Sequence, residues 1–151
     1  MNDRISIARV EILHPKVKDD FINFINDAEA GLHITLRVAQ GVRTIDEQNA
    51  LYAKGRTAPG PVVTNARGGS SYHNYGLAID LVRMIDRAAD WHFDYRKLLP
   101  YAAKYGLVWG GNFKSIKDEP HFEKTFGLNW RTMLERYNSK DFIPGTKFIR
   151  I

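Results

Sequence analysis

The chain has 151 residues, 44% of them hydrophobic and 26% charged, the make-up of a single globular domain, residues 1–151, with enough apolar material for a core. It contains no cysteine, which excludes disulfides and thiolate ligands and leaves any metal to His, Asp or Glu. The net charge is +5, but lysine and arginine are scattered in clusters no longer than two, without the basic–aromatic motif of a nucleic-acid module.

No apolar run approaches the ~20 residues of a membrane helix. Charges at Asp3, Arg4 and Arg9 interrupt any leader-like segment at the N-terminus. Ile5 to Leu13 reads as a weak strand or an arm. Pro15 suits the first turn of a helix, Val17, Phe21, Phe24, Ile25 and Ala28 follow at helical spacing, and Gly31 is the expected cap. His14 is read as a surface or capping residue. Leu32, Ile34, Leu36 and Val38 alternate with polar neighbours as a half-buried strand. Thr44-Ile45-Asp46-Glu47 has the capping-box pattern and opens a second helix, which puts Arg43 where a strand's end meets a helix's start.

Arg56 to Ser70 is rich in glycine, proline and small polar residues and reads as a loop shaping one wall of a groove. Arg83 to Asp90 reads as another loop, Phe93 to Tyr105 as a helix ended by Gly106, and Leu107 to Trp109 as a strand entering a glycine-rich turn. Pro120 keeps His121-Phe122-Glu123 extended. Asn129 caps a last helix carrying Trp130, Met133, Leu134 and Tyr137, and the apolar residues of the tail from Phe142 pack down.

The chemistry concentrates in Ser71-Tyr72-His73-Asn74-Tyr75-Gly76-Leu77-Ala78-Ile79-Asp80-Leu81-Val82. A turn presents an imidazole, and seven residues later a carboxylate interrupts an alternating apolar strand. A carboxylate there needs a cation, a metal or a dense set of donors. Taken singly, a histidine beside a strand is most often hydrogen-bonded within the fold, and an aspartate in a strand pairs with an arginine. His73, Asp80 and His121 together make a three-ligand set that leaves a fourth zinc position open, the stoichiometry of a catalytic rather than a structural site.

At these residues the sequence resembles the zinc D-Ala-D-Ala carboxypeptidase and L-alanyl-D-glutamate endopeptidase family, which includes vancomycin-resistance D,D-peptidases and phage endolysins. The resemblance is carried by Ser71-x-His73-x-x-Gly76-x-Ala78-x-Asp80 and Asp118-x-x-His121. It extends upstream through Gly41-Val42-Arg43-Thr44, Glu47-Gln48 and Gly55-Arg56-Thr57-x-Pro59-Gly60. It implies an α+β fold in which a small antiparallel or mixed sheet carries the zinc site and helices pack on the other side. It also implies zinc on His73, Asp80 and His121, and an Arg43 that contacts substrate and steadies developing charge.

The family pattern makes Asp118 the general base, although on a regular strand Glu119, not Asp118, would share His121's face. Ser71, Gln48 and Tyr72 are expected at the substrate; Ser71 is equally readable as a turn former and Tyr72 as a packing residue. The implied substrate is the peptidoglycan stem peptide, cut at L-Ala–D-Glu. A terminal D-Ala–D-Ala cut, a non-catalytic zinc-containing binding module, and a basic nucleic-acid binder with a structural metal are the competing readings. The endolysin likeness implies a monomer without stable membrane insertion. It would be held in the cytoplasm until a holin-type partner opens the membrane, and would then act on the cell wall.

Overall fold

The centre of the molecule is the strand β2 (Ala78–Ile85). In a computed structural model describing residues 1–151, four strands surround it: β1 (Thr35–Gln40), β3 (Ala88–Asp90), β4 (Val108–Trp109) and β5 (His121–Glu123). The order is β1-β2-β5-β4, with β3 folded back on the end of β2, and every pairing is antiparallel. The helices are α1 (Arg4–Glu11), α2 (Pro15–Leu32), α3 (Ile45–Ala53), α4 (Leu99–Lys104) and α5 (Trp130–Asn138), so the class is α+β. None is long and apolar enough to cross a membrane.

The core forms where the helical and strand periods meet. Val17, Phe21, Phe24, Ile25 and Ala28 make one fully buried stripe of α2. They share a core with Leu36 and Val38 of β1, Ile79 and Leu81 of β2 and Phe122 of β5, and the Phe24 and Phe122 rings lie 5.1 Å apart. Each such side chain contributes about 1.5–3 kcal/mol on burial, so this face of the sheet is rigidly held. Because strand residues alternate, Ile79 and Leu81 facing the core leave Asp80 on the reverse face.

Four expectations from the sequence are corrected. Ile5–Leu13 is neither strand nor arm, since Asp3 caps a helix by accepting from the Ser6 amide at 2.9 Å. That helix covers the outer edge of β1: Ser6 Oγ accepts from the Val38 amide, and Arg9 donates to the Val38 and Ala39 carbonyls. The helix α2 runs through Gly31 to Leu32 and is capped by His33 at φ 53°. Glycine stands at 31 for room, because a Cβ there would lie 2.1 Å from the Tyr101 hydroxyl.

Arg83 to Asp90 is not a loop. It is the end of β2 turning into β3, with Arg83 Nε bonded across the pair to Asp90 at 2.9 Å. The expected helix over Phe93–Tyr105 begins as a 3₁₀ turn (Tyr95–Leu98) before α4 takes over, and Gly106 at φ 68° ends it.

His14, read as a surface or capping residue, caps α2 but is wholly buried. Its Nδ1 accepts from the Lys16 amide at 3.1 Å, which leaves the proton on Nε2, donated to the Ile149 carbonyl at 2.8 Å. The C-terminal tail is thus fastened to the start of α2. Burial lowers the pKa of His14 by disfavouring the charged ring. The folded protein therefore prefers the neutral ring, and the stability this lends is present above the ordinary histidine pKa of about 6.5 and is lost as pH falls below it. His14→Ala should cost about 1–3 kcal/mol at pH 7, from the unpaired Ile149 carbonyl and Lys16 amide. In urea denaturation the gap to the parent protein should narrow between pH 7 and pH 5.

Candidate metal centre and groove

The imidazole of His73 is delivered by a tight turn. Ser71 caps the 3₁₀ turn Tyr72–Tyr75, its Oγ accepting from the His73 amide at 3.3 Å. Asn74 Oδ1 reaches back to the Gly69 amide at 2.9 Å, and its Nδ2 donates to the Arg43 carbonyl at 2.8 Å. Gly76 ends the turn at φ 70°, where a Cβ would sit 2.7 Å from the His14 backbone nitrogen. The chain then enters β2, where Asp80 lies directly opposite His121 of β5 in the antiparallel register. Residues far apart in sequence thereby face one another across a turn and two strands.

His73 Nε2, Asp80 Oδ1 and His121 Nδ1 form a nearly equilateral triangle, with edges of 3.2 Å (His73–His121), 3.2 Å (Asp80–His121) and 3.3 Å (His73–Asp80). Tetrahedral zinc with bonds of about 2.0–2.1 Å separates its ligand atoms by about 3.3 Å, so the donors fit the ion in both type and spacing. Both rings are also held in the required tautomer. His73 Nδ1 faces the Gly41 carbonyl at 2.7 Å, which can only accept. His121 Nε2 faces the Glu123 carboxylate at 2.7 Å. The remaining nitrogen of each ring turns its lone pair to the centre.

Charge agrees with geometry. Burial would push the Asp80 carboxyl up, but the His121 and His73 rings packed against it hold it well below the ordinary carboxylate range, as they do when they carry positive charge in place of a metal. Burial would lower His121, but the Asp80 and Glu123 carboxylates on its two sides raise it to about 9, so in the absence of a metal a proton takes the place of the cation. Asp80, Glu123 and Asp118 against Arg43 leave two negative charges around the triangle when the rings are neutral, and these a divalent cation would balance.

The turn Asp118–His121, closed by the His121 amide on the Asp118 carbonyl at 3.1 Å, decides which acidic residue enters the site. Asp118 Oδ2 comes within 3.8 Å of His121 Nδ1 and lines the groove, whereas Glu119 is exposed and outside it. Burial and the like charge of Asp80 push the Asp118 carboxyl up. Arg43 also lines the groove, 3.8 Å from Asp80 Oδ2. Gln48, expected at the substrate, is corrected: it is wholly buried, accepting from Arg43 Nη1 at 2.8 Å and donating to the Ala66 carbonyl at 2.8 Å. It aims Arg43 and ties down the groove wall.

The groove has a volume of 530 Å³. One wall is the loop at Val63, Thr64, Asn65 and Ala66; the other is Phe113, Ser115 and Ile116. Ser71 and Tyr72 line it, although the Tyr72 hydroxyl is donated to the Leu128 carbonyl at 3.1 Å.

The family resemblance sets the Trp109-Gly110-Gly111 segment beside the active site, and Glu123 shares His121's strand face, but the sequence names no contact for any of them. Trp109 Nε1 donates to the Glu119 carbonyl at 2.6 Å, and the Gly110 carbonyl accepts from the Asp118 amide at 3.0 Å. The Trp-Gly-Gly segment is the backing of the Asp118 turn. Glu123 was visible as the residue two beyond His121 on the same strand face, but nothing local identified its partner.

Residues 64–124 match the family described as D-alanyl-D-alanine carboxypeptidase. The chain is 39% identical over 122 residues to the peptidoglycan L-alanyl-D-glutamate endopeptidase CwlK of Bacillus subtilis, covering 74% of this chain and 72% of that protein. Among solved structures it superposes on the L-Ala D-Glu endopeptidase ChiX of Serratia marcescens with a TM-score of 0.59 at 25% identity, covering 82% of this chain and 88% of that one. It shares its fold with the vancomycin-resistance D,D-pentapeptidase VanY of a VanB-type cassette, solved with Zn(II), at a TM-score of 0.55 and 19% identity, over 74% of this chain and 71% of that one.

A Cβ at residue 110 would lie 2.3 Å from the Asp118 carbonyl oxygen and 2.8 Å from His121 Cβ. Gly110→Ala should therefore push the Asp118–His121 turn out of place while leaving the core intact. Zinc retained after dialysis should fall well below that of the parent protein, with far-ultraviolet circular dichroism unchanged.

Proposed function

Because this chain belongs to the D-alanyl-D-alanine carboxypeptidase and L-alanyl-D-glutamate endopeptidase family of peptidases, we propose that it is a zinc enzyme cutting the L-Ala–D-Glu bond of peptidoglycan stem peptides. The observation that carries this reading is the triangle of lone pairs from His73, Asp80 and His121 beside the Asp118 carboxylate. The choice of bond is supported by the likeness to CwlK and ChiX, both named for that specificity.

Zinc in a site of this kind acidifies a water toward a pKa of ~7 and polarises a carbonyl. The chain's own residues supply the rest. His73, Asp80 and His121 would hold the ion, both imidazoles fixed by their backing contacts to the Gly41 carbonyl and Glu123. Asp118 takes the proton of the attacking water and returns it to the departing amine. Arg43, clamped by Gln48, meets the negative charge that grows on the carbonyl oxygen; held in advance, it needs no reorganisation during reaction. Tyr72 and the two loop walls hold the peptide across the ion, and Ser71 keeps the His73 turn in shape. The lysis role implied by the endolysin resemblance belongs to this reading; the net charge of +5 would favour approach to anionic wall polymer and to anionic membrane alike.

Mass spectrometry of digested peptidoglycan tests the bond. The expected products are glycan strands bearing only L-Ala and peptides with a new N-terminal D-Glu. Free D-Ala with the L-Ala–D-Glu bond intact would make the enzyme a D,D-carboxypeptidase. Asp118→Asn should keep zinc and fold yet lose roughly 10²–10⁴-fold in rate, while Glu119→Gln stays close to the parent.

A further inference from the structure

We infer that Glu123 is a positioning residue for the metal: its carboxylate fixes the tautomer and orientation of His121 and strengthens that ring as a ligand. The inference rests on the zinc reading above and goes beyond it, because Glu123 is neither a ligand nor a proton-transfer group.

Three observations carry it. First, Glu123 Oε2 lies 2.7 Å from His121 Nε2, while the ligand atom of the same ring is Nδ1. The two nitrogens stand on different sides of the imidazole, so the carboxylate is behind the ring as seen from the triangle. Second, the arrangement follows from the strand. His121 and Glu123 are two residues apart on β5 and share a face. Their neighbours in register put a ligand, Asp80, beside His121, and only apolar residues, Ala78 on one side and Val108 on the other, beside Glu123.

Third, Glu123 is only 7% exposed, and the sole hydrogen bond its side chain makes is the one from His121. A carboxylate this buried relies on its single donor, the His121 ring, and a cation bound at Nδ1 would add to the positive charge that ring presents to it. A neutral imidazole alone tautomerises freely and would present Nδ1–H to the ion part of the time. An anion on Nε2 keeps the proton there and raises the basicity of Nδ1. His73 receives the weaker version of the same support, from the neutral carbonyl of Gly41. The two histidines are therefore unequal, and His121 is the one whose ligation is bought with a buried charge.

The test is zinc affinity measured by chelator competition on the purified full chain, with Glu123→Ala and Glu123→Gln beside the parent. Glu123→Ala should bind zinc about 10–100-fold more weakly. Glu123→Gln can still accept the Nε2 proton but carries no charge, so it should fall between the two. Nitrogen chemical shifts of His121 in the zinc-free proteins, read at a pH high enough to make the ring neutral, should show the proton on Nε2 in the parent and shared between both nitrogens in Glu123→Ala. If Glu123→Ala does not fold, Glu123→Gln carries the comparison, with several-fold weaker zinc binding expected. Parental zinc affinity in the folded variants would overturn the inference and leave Glu123 a packing residue. A parent protein that takes up no zinc would instead overturn the metal reading on which it rests.

Discussion

A carboxylate placed in the middle of a sheet is the constraint to which this molecule answers. Asp80 stands on the longest strand, with Ile79 and Leu81 beside it turned into a closed core. A charge in that position costs several kcal/mol unless donors or a cation surround it. Each remaining part of the centre can be understood as an answer. The register of β2 and β5 sets His121 opposite, the capped turn before β2 brings His73 over the top, and Arg43 approaches from the end of β1. Remove the carboxylate, and nothing would explain why two imidazoles meet with their lone pairs convergent.

The groups that touch the centre are held by others that do not. Gly41 holds His73, Glu123 holds His121, Gln48 holds Arg43, and the Gly110 carbonyl holds the backbone of Asp118. Each supporting contact is a hydrogen bond of 2.7–3.0 Å made away from solvent or at its margin. Orientation is thus settled before any substrate arrives, which is the condition under which electrostatic assistance to a reaction is largest.

What could be read from the sequence was what is local. Asp80 announced itself as a charge inside an alternating apolar run, and His73 stood at a fixed spacing from it. The stripe of α2 and the capping box of α3 were equally plain, each depending on residues within one or two turns. Contacts between distant segments were not legible. The first helix looked like a strand because Ile5, Ile7 and Val10 are β-branched, yet a single cap at Asp3 and the unfilled edge of β1 decided for helix. His14 gave no sign that its partner lay at Ile149, and Gln48 none that both its ends were already spoken for. The contest between Asp118 and Glu119 turned on Pro120, which replaces strand geometry by a turn, so that alternation no longer tells which side chain goes in.

The covering of the sheet's outer edge has a consequence for recognition. Ser6 and Arg9 occupy the hydrogen-bonding groups of β1 that an incoming strand would use, and the opposite edge strand, β4, is two residues long. An extended peptide therefore finds little main chain to pair with on this protein and must be gripped through side chains. That suits a ligand of alternating chirality. A ladder between strands demands that successive residues turn their side chains to opposite faces with one handedness throughout, and a D-residue breaks the sequence of twists. An enzyme that closed its sheet to strand addition would pass over ordinary L-peptides of the cell that such an edge would otherwise capture.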